Sequence, residues 1–256
     1  IRRPPISTLF PYTTLFRSDV FEGVKSADTE TAMAFLDQID TTKYGEAAAD
    51  IMWTHFGRDR EAVLAKIDSL PEGDLRRMSV DRVIDHWARY DPVAAKAWME
   101  THTTPENRLT AQIELGESWA RVDPRAATQW FSQLPADQQN TKILDRIVGR
   151  WLQYEPETGL DWLRSQPVSP ALDNPRTDRA RRLAGRDPVE AMLWTQTISD
   201  PKRRSATEEQ VAWEWYRRDR TAAVDYVLNQ STLSESSRRR FAERAQKDAR
   251  AAQAKK

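Results

Sequence analysis

The chain has 256 residues, of which 39% are hydrophobic, and its 39 basic residues balance 39 acidic ones. This balance gives no overall electrostatic attraction to nucleic acid or to an anionic membrane surface. The chain has no cysteine for disulfides, zinc–thiolate sites or thiol nucleophiles, no apolar run near the roughly 18 residues of a membrane span, and no glycine cluster for a nucleotide phosphate, so no cofactor is expected.

The first segment, residues 1–18 (IRRPPISTLFPYTTLFRS), differs in composition from the rest of the chain. It resembles translated sequencing-adapter sequence, and we expect a non-native or disordered segment outside the fold. A genuine targeting segment is the alternative, although Pro11 interrupts the apolar run that a signal peptide requires. On the first interpretation the native N-terminus is missing, together with any signal or anchor. The compartment, cytoplasm or periplasm, therefore stays unassigned.

From residue 28 onward one pattern returns every 32 residues. An acidic residue, usually followed by proline, marks each copy, and we call these residues the marker acids: Asp59, Asp91, Asp123, Glu155, Asp187 and Asp219. A fixed period between about 20 and 50 residues indicates a helical solenoid or another repeat array. A partial copy, DTETAMAFLDQI, begins earlier at Asp28.

Each copy predicts two helices. The marker acid caps the start of a helix, and proline at the first helical position loses no hydrogen bond. That helix is expected to end near the next proline, at Pro71, Pro105, Pro135 or Pro167. The segment that follows carries apolar residues at helical spacing up to the next marker acid. The sequence therefore predicts an all-α solenoid of about six 32-residue helical hairpins over residues 19–250, with a basic disordered tail at 251–256.

Eight of the ten tryptophans follow the same period, either four residues before or seven residues after a marker acid, whereas Trp53 and Trp213 lie six residues before one. This spacing predicts that they are core residues rather than a cofactor site, and a buried tryptophan contributes up to roughly 5 kcal/mol. Alanines one turn into the second helix are small enough to let an indole ring pack closely. The predicted structural core comprises Trp87, Trp98, Trp119, Trp130, Trp151, Trp162, Trp194 and Trp215.

These motifs resemble the tetratricopeptide repeats (TPR), although most units here are two residues shorter than the usual 34 of that family. The segment ELGESW at 114–119 supplies the Leu-Gly step and the aromatic of a first helix. The segment DPRAATQWFSQLP at 123–135 supplies the alanine, aromatic and closing proline of a second helix. The resemblance implies a concave groove, lined by the first helices, that holds peptides.

Six residues lie on the face that this resemblance assigns to the groove, two or six residues before a marker acid. These candidate partner-binding residues are Arg89, Arg121, Gln153, Arg181, Trp213 and Arg217. The alternative for the arginines is structural, since an arginine near a helix C-terminus complements the helix dipole and forms i,i+4 ion pairs, as Arg89 would with Asp85 and Arg121 with Glu117. Trp213 is either an exposed anchor for a partner or a cover for the open end of the array.

No catalytic or metal-binding residues are predicted. The three histidines, His55, His86 and His102, belong to no metal-ligand motif, and we expect them on the surface or lining the groove. The C-terminal segment predicts a capping helix with a polar outer face, and binding of nucleic acid or anionic lipid through its basic end is a minor alternative.

The sequence therefore predicts a non-catalytic interaction scaffold that binds a peptide or protein partner in a solenoid groove. The alternative is a helical accessory region of a larger enzyme, of the cell-wall or envelope type, whose catalytic part is missing. A purely structural repeat without a defined ligand is a third possibility. The oligomeric state and the identity of the partner do not follow from the sequence.

Overall fold

The computed structural model describes residues 18–253, and across that range it contains fifteen α-helices and one 3₁₀ turn but no β-strand. The predicted all-α class is confirmed. Residues 1–17 of the expected non-native segment and residues 254–256 of the expected tail lie outside the described residues. The chain forms two compact units, the first ending at Ile143 and the second beginning at Leu144.

The first unit consists of successive helical hairpins. Its helices are α1 (Ser18–Ser26), α2 (Thr29–Leu36), α3 (Thr41–Phe56), α4 (Arg60–Ser69), α5 (Asp74–Trp87), α6 (Pro92–His102), α7 (Pro105–Trp119) and α8 (Pro124–Gln133). The first helices of successive hairpins contact one another, α1 with α3, α3 with α5, and α5 with α7. This packing of each hairpin on the next is the arrangement of an α-solenoid.

The second unit repeats the same plan. Helix α9 (Thr141–Tyr154) begins just before the division, and the remaining helices are α10 (Pro156–Ser165), α11 (Asp173–Leu183), α12 (Pro188–Gln196), α13 (Pro201–Arg218), α14 (Arg220–Asn229) and α15 (Glu235–Gln253). A 3₁₀ turn at Pro170–Leu172 lies in the longer loop before α11. Helix α11 contacts both α12 and α13, and α15 packs on α14. Over residues 18–253 the helices form seven hairpins followed by α15.

The marker acids cap the second helix of their hairpins, as predicted. In five of them the carboxylate accepts a hydrogen bond of 2.9–3.0 Å from a main-chain N–H three residues ahead, the pairs being Asp59–Ala62, Asp91–Ala94, Asp123–Ala126, Asp187–Glu190 and Asp219–Ala222. Glu155 is one methylene longer and makes no such bond; its carboxylate instead accepts from the Thr158 hydroxyl at 2.9 Å. The helix ends expected before prolines are also observed, for example α8 at Gln133 and α10 at Ser165.

Aromatic rings from the two helices of a hairpin pack against each other. Their centroids are separated by 6.3 Å for Trp87–Trp98, 6.0 Å for Trp119–Trp130, 5.3 Å for Trp151–Trp162 and 5.5 Å for Trp215–Tyr226. Each buried ring is less than a tenth exposed: Trp87, Trp98, Trp119, Trp130, Trp151, Trp194 and Trp215. Trp162 is half-buried. The rings thus fill the space inside the hairpins, where they remove the most apolar area from water.

A buried residue no larger than valine lies four positions after each marker acid: Val63, Ala95, Ala127, Gly159, Ala191 and Ala223. Four of them, Ala95, Ala127, Gly159 and Ala223, belong to the hairpins with ring pairs. At Gly159 a Cβ atom would lie 3.1 Å from Leu152 and 3.2 Å from the Trp151 ring, which is closer than ordinary van der Waals contact. The close approach of the two helices therefore depends on the size of this residue.

Arginines at the start of first helices cap the end of the preceding second helix. Arg76 donates to the carbonyl oxygens of Ile67 and Asp68, at 2.7 and 3.1 Å, and Arg204 donates to that of Ile198 at 2.9 Å. Arg176 is 2% exposed and donates to the carbonyls of Gln166 and Pro167, which follow α10, and also to that of Thr197 at the end of the following second helix, α12. A helix end leaves carbonyls without partners in the helix, and these guanidinium groups satisfy them.

We expect Trp130→Ala to lower the free energy of unfolding by about 3–5 kcal/mol, because the change leaves a cavity beside Trp119. Urea denaturation followed by circular dichroism measures the loss. The control is Tyr90→Ala, which removes a ring that is 78% exposed and should change stability by no more than about 0.5 kcal/mol. Equal losses in the two variants would contradict the core assignment of Trp130.

We expect Asp123→Ala to lower the free energy of unfolding by about 0.5–2 kcal/mol, because the N–H of Ala126 loses its cap. Asn is as good a helix cap as Asp, so Asp123→Asn should retain nearly all of the wild-type stability. Comparison of the two variants by chemical denaturation separates the hydrogen bond from the charge. A large loss in the Asn variant would show that the negative charge, not the cap, matters.

Candidate functional site

A groove of about 990 Å³ lies on the second unit, and its walls come from α9, α10 and α11, with one residue from α13. We call it the second-unit groove. Its charged lining residues are Arg179, Arg181, Arg182, Arg203, Asp145 and Asp178. Its apolar lining residues are Leu152, Pro156, Leu160 and Pro175. The volume is at the upper end of the roughly 300–1,000 Å³ that is typical of ligand pockets.

The groove includes two of the six candidate partner-binding residues, Gln153 and Arg181. Gln153 lies two residues before its marker acid and accepts a hydrogen bond from Arg150 at 2.9 Å. Arg181 lies six residues before its marker acid, and its Nε donates to Gln210 at 3.0 Å. Both side chains are exposed and project from first helices, whose Trp151 and Leu183 are buried within the hairpins.

The arginines of the groove differ in how many hydrogen bonds and ion pairs they make with other residues of the chain. Arg203 donates to the side-chain oxygen of Asn174, and Asn174 in turn donates to Asp145. Arg179 lies 3.8 Å from the Glu190 carboxylate. Arg182 is exposed and makes no hydrogen bond or ion pair with the described part of the chain. The groove therefore has guanidinium donors that its own residues do not use.

Three polar atoms among the lining residues are shielded from solvent and have no hydrogen-bond partner within residues 18–253: Asp145 Oδ1, Thr177 Oγ1 and Arg179 Nε. Asp145 and Thr177 are 32 positions apart, so they occupy the same place in successive hairpins. Burial raises the pKa of the Asp145 carboxyl, and the nearby Asp178 charge adds to this, whereas the Asn174 hydrogen bond and the Arg203 charge oppose it. Buried polar groups without partners are costly and uncommon.

Asp81 of the first unit occupies the corresponding repeat position on α5. Its Oδ1 is also buried and without a hydrogen-bond partner among the described residues, and the nearest cation is Arg77, at 4.0 Å from Oδ2. Burial raises the pKa of the Asp81 carboxyl to about 6, and Arg77 only partly opposes this. Sequence reasoning missed Asp81, Asp145 and Thr177, although their spacing by multiples of 32 residues is visible in the sequence.

Arg89 and Arg121 form the i,i+4 pairs of the structural alternative. Arg89 donates to Asp85 at 2.5 Å, and Arg121 donates to Glu117 at 3.5 Å. Ser118 joins the two helices by donating to Asp85 at 2.5 Å. Burial alone would raise the pKa of Asp85, but the hydrogen bonds from Arg89 and Ser118 outweigh it, and the pKa is lowered.

Trp213 and Arg217 lie at the C-terminal end of the second unit. Trp213 is half-buried, and its ring centroid is 4.3 Å from that of Phe241 on α15. This contact corresponds to the alternative in which Trp213 is covered at the end of the array. Arg217 is exposed and pairs with Glu214 at 2.6 Å. Neither residue lines the second-unit groove.

The histidines have different surroundings. His55 is fully buried, and its ring nitrogens contact the Val24 carbonyl at 3.2 Å and the Thr29 hydroxyl at 3.1 Å, so the expected surface or groove position is wrong for this residue. It fills a buried position because both ring nitrogens find partners. The His86 ring is tilted by 46° against Trp53, with 3.6 Å between the centroids, and the His102 ring stacks on Trp98, with 4.8 Å between the centroids.

Within residues 18–253, no group of three or more His, Asp or Glu residues is arranged to hold a metal ion. None of the helices described is both long and apolar enough to cross a bilayer. Comparisons with protein-family models, curated proteins and solved structures gave no match to this chain.

We expect Asp81→Asn to stabilise the protein above pH 6. The pKa of Asp81 in the folded state, about 6, exceeds the ordinary value of 3.8, so the folded state binds this proton more tightly than the unfolded state does. Stability from this proton is fully present below about pH 3.8 and is lost as the pH rises through 6.

At neutral pH the Asn variant should therefore gain about 1–3 kcal/mol in unfolding free energy relative to wild type. The gain should shrink as the pH falls towards the ordinary pKa of the carboxyl. Urea denaturation of both proteins across this pH range measures it. Parallel pH profiles for the two proteins would contradict a raised pKa at Asp81.

Proposed function

We propose that this chain is a TPR-like, non-catalytic interaction scaffold that holds a peptide segment of a partner protein. The second-unit groove is the observation that carries this proposal. It combines a suitable volume with apolar walls and charged side chains whose hydrogen-bonding capacity is only partly used within the chain. Such a combination is typical of sites that bind a ligand rather than of packed helix interfaces.

The division of the repeat into two faces supports the same function. The tryptophans of the first helices pack inside the hairpins, so the core does not depend on the charged residues that line the groove. Substitutions that adapt the groove residues to a ligand therefore need not destabilise the fold. In repeat proteins this separation allows one scaffold to present an extended binding surface.

The enzyme-accessory alternative has no observation of its own among the described residues. His55 is held by a main-chain carbonyl and a threonine, His86 contacts the Trp53 ring, and His102 stacks on Trp98 and contacts Thr101 and Asp68. That alternative assigns catalysis to a part outside this chain, so these surroundings do not favour it. The scaffold hypothesis is therefore the better supported of the two.

A random linear peptide library displayed on phage, selected on the immobilised full chain, tests the proposal. We expect the selected peptides to bind in solution, and we expect Arg181→Glu combined with Arg182→Glu to weaken binding at least about tenfold, a loss of roughly 1.4 kcal/mol. Fluorescence anisotropy measures the affinities. Both arginines are exposed, so the melting temperature should change little.

The matched control is Arg239→Glu combined with Arg250→Glu, which makes the same change in net charge on exposed positions of α15. This control should bind the selected peptides as wild type does. The proposal fails if no peptide is enriched, or if both double variants lose binding equally. Equal loss would mean that net charge, not the groove, attracts the peptides.

A further inference from the structure

The charge of the second-unit groove limits the ligands that fit it. Four arginines face two aspartates, so the lining has a local excess of positive charge although the whole chain is neutral. Arg182 makes no hydrogen bond with any described residue. Among the described residues Arg181 donates only from its Nε, to Gln210, and its two terminal nitrogens make no hydrogen bond. Guanidinium groups with free donors bind carboxylates well, frequently through two parallel hydrogen bonds.

The same lining disfavours a continuous polyanion. Asp145 and Asp178 would repel successive phosphates of a nucleic acid, and they lie beside the arginines rather than away from them. Leu152, Leu160, Pro156 and Pro175 offer apolar walls between the charged groups. A ligand that presents separate carboxylates together with apolar groups matches this alternation better than a chain of phosphates.

Asp145 and Thr177 suggest what else the ligand provides. Asp145 Oδ1 and Thr177 Oγ1 lack hydrogen-bond partners within the described residues. Both residues line the second-unit groove, so a ligand bound there lies next to them. A peptide main chain carries one N–H donor on every residue except proline, and these donors would offset the cost of the unpartnered oxygens.

We propose that the second-unit groove binds an extended peptide segment in which acidic side chains alternate with apolar ones, with Arg181 and Arg182 holding the carboxylates. This inference rests on the proposed scaffold function and specifies its ligand. The acidic side chains pair with the arginines, the apolar side chains contact the leucine and proline walls, and main-chain N–H groups reach Asp145 and Thr177. Binding is salt-dependent because charge pairs at exposed arginines are screened by ions.

Two short synthetic peptide pools with a fluorescent label test this ligand class on the full chain. One pool alternates Glu with a mixture of Leu, Val and Phe, and the other has Gln in place of Glu. Anisotropy titrations should show at least about tenfold tighter binding of the Glu pool at low salt. Arg181→Gln combined with Arg182→Gln should remove this preference, whereas Arg239→Gln combined with Arg250→Gln should retain it.

The outcomes separate the ligand class from the proposed function. Equal binding of both pools to the wild-type protein would overturn the acidic preference, whether or not the groove variant also binds them. That result would leave the proposed peptide scaffold standing. No binding of either pool, together with no enrichment from the phage library, would overturn both proposals. A labelled oligothymidylate that binds the groove more tightly than the Glu pool would overturn the peptide ligand in favour of nucleic acid.

Discussion

The fold of this protein depends on the contact between an aromatic ring from one helix and a small residue on the next. At Gly159 the Trp151 ring lies 3.2 Å from the position of a Cβ atom, so the two helices of that hairpin are as close as the backbone permits. The same ring and small-residue positions recur every 32 residues, and the ring pairs have similar separations in both units. One local packing rule therefore recurs in four hairpins, and in two others buried Ile67 or Leu183 takes the place of one ring.

This rule leaves the outer face of the first helices free to vary. In the first unit that face carries Asp85, Arg89 and Ser118, which bond to one another and tie α5 to α7. In the second unit the corresponding face includes Arg181, and it lines a groove whose arginine donors are only partly used. Residues at equivalent repeat positions thus hold helices together in the first unit and, on our proposal, bind the ligand in the second.

The sequence predicted the periodic part of the structure well, because its determinants are local. A marker acid such as Asp123 caps a helix three residues away, and Trp130 shares its helix face with Ala127, so residue spacing alone identifies both roles. The fully buried position of His55 was not predictable, because its partners Val24 and Thr29 are 31 and 26 residues away. Buried Arg176 was missed for the same reason, since its carbonyl partners lie on other segments.

The groove could be predicted only in part. Gln153 and Arg181 were found from their repeat position, but Arg182 and Arg203 lie outside that position and became candidates only through the folded arrangement. The sequence also contains one long-range signal. Five of the six positions nine residues before a marker acid alternate in charge, Asp50, Arg82, Glu114, Arg146 and Asp178, and the sixth is Gln210. Asp50 and Arg82 form an ion pair.

Helix α15 continues the packing of the array. It lies where the first helix of a further hairpin would lie, since the Tyr216 hydroxyl donates to Asp248, one repeat further along, and Phe241 covers Trp213. At the repeat position that holds Trp215 in the previous hairpin, α15 has the exposed residue Lys247. In the six hairpins with a marker acid this position holds a buried Trp, Leu183 or His55, so α15 lacks the buried side chain on which a second helix packs, and its polar face meets solvent there.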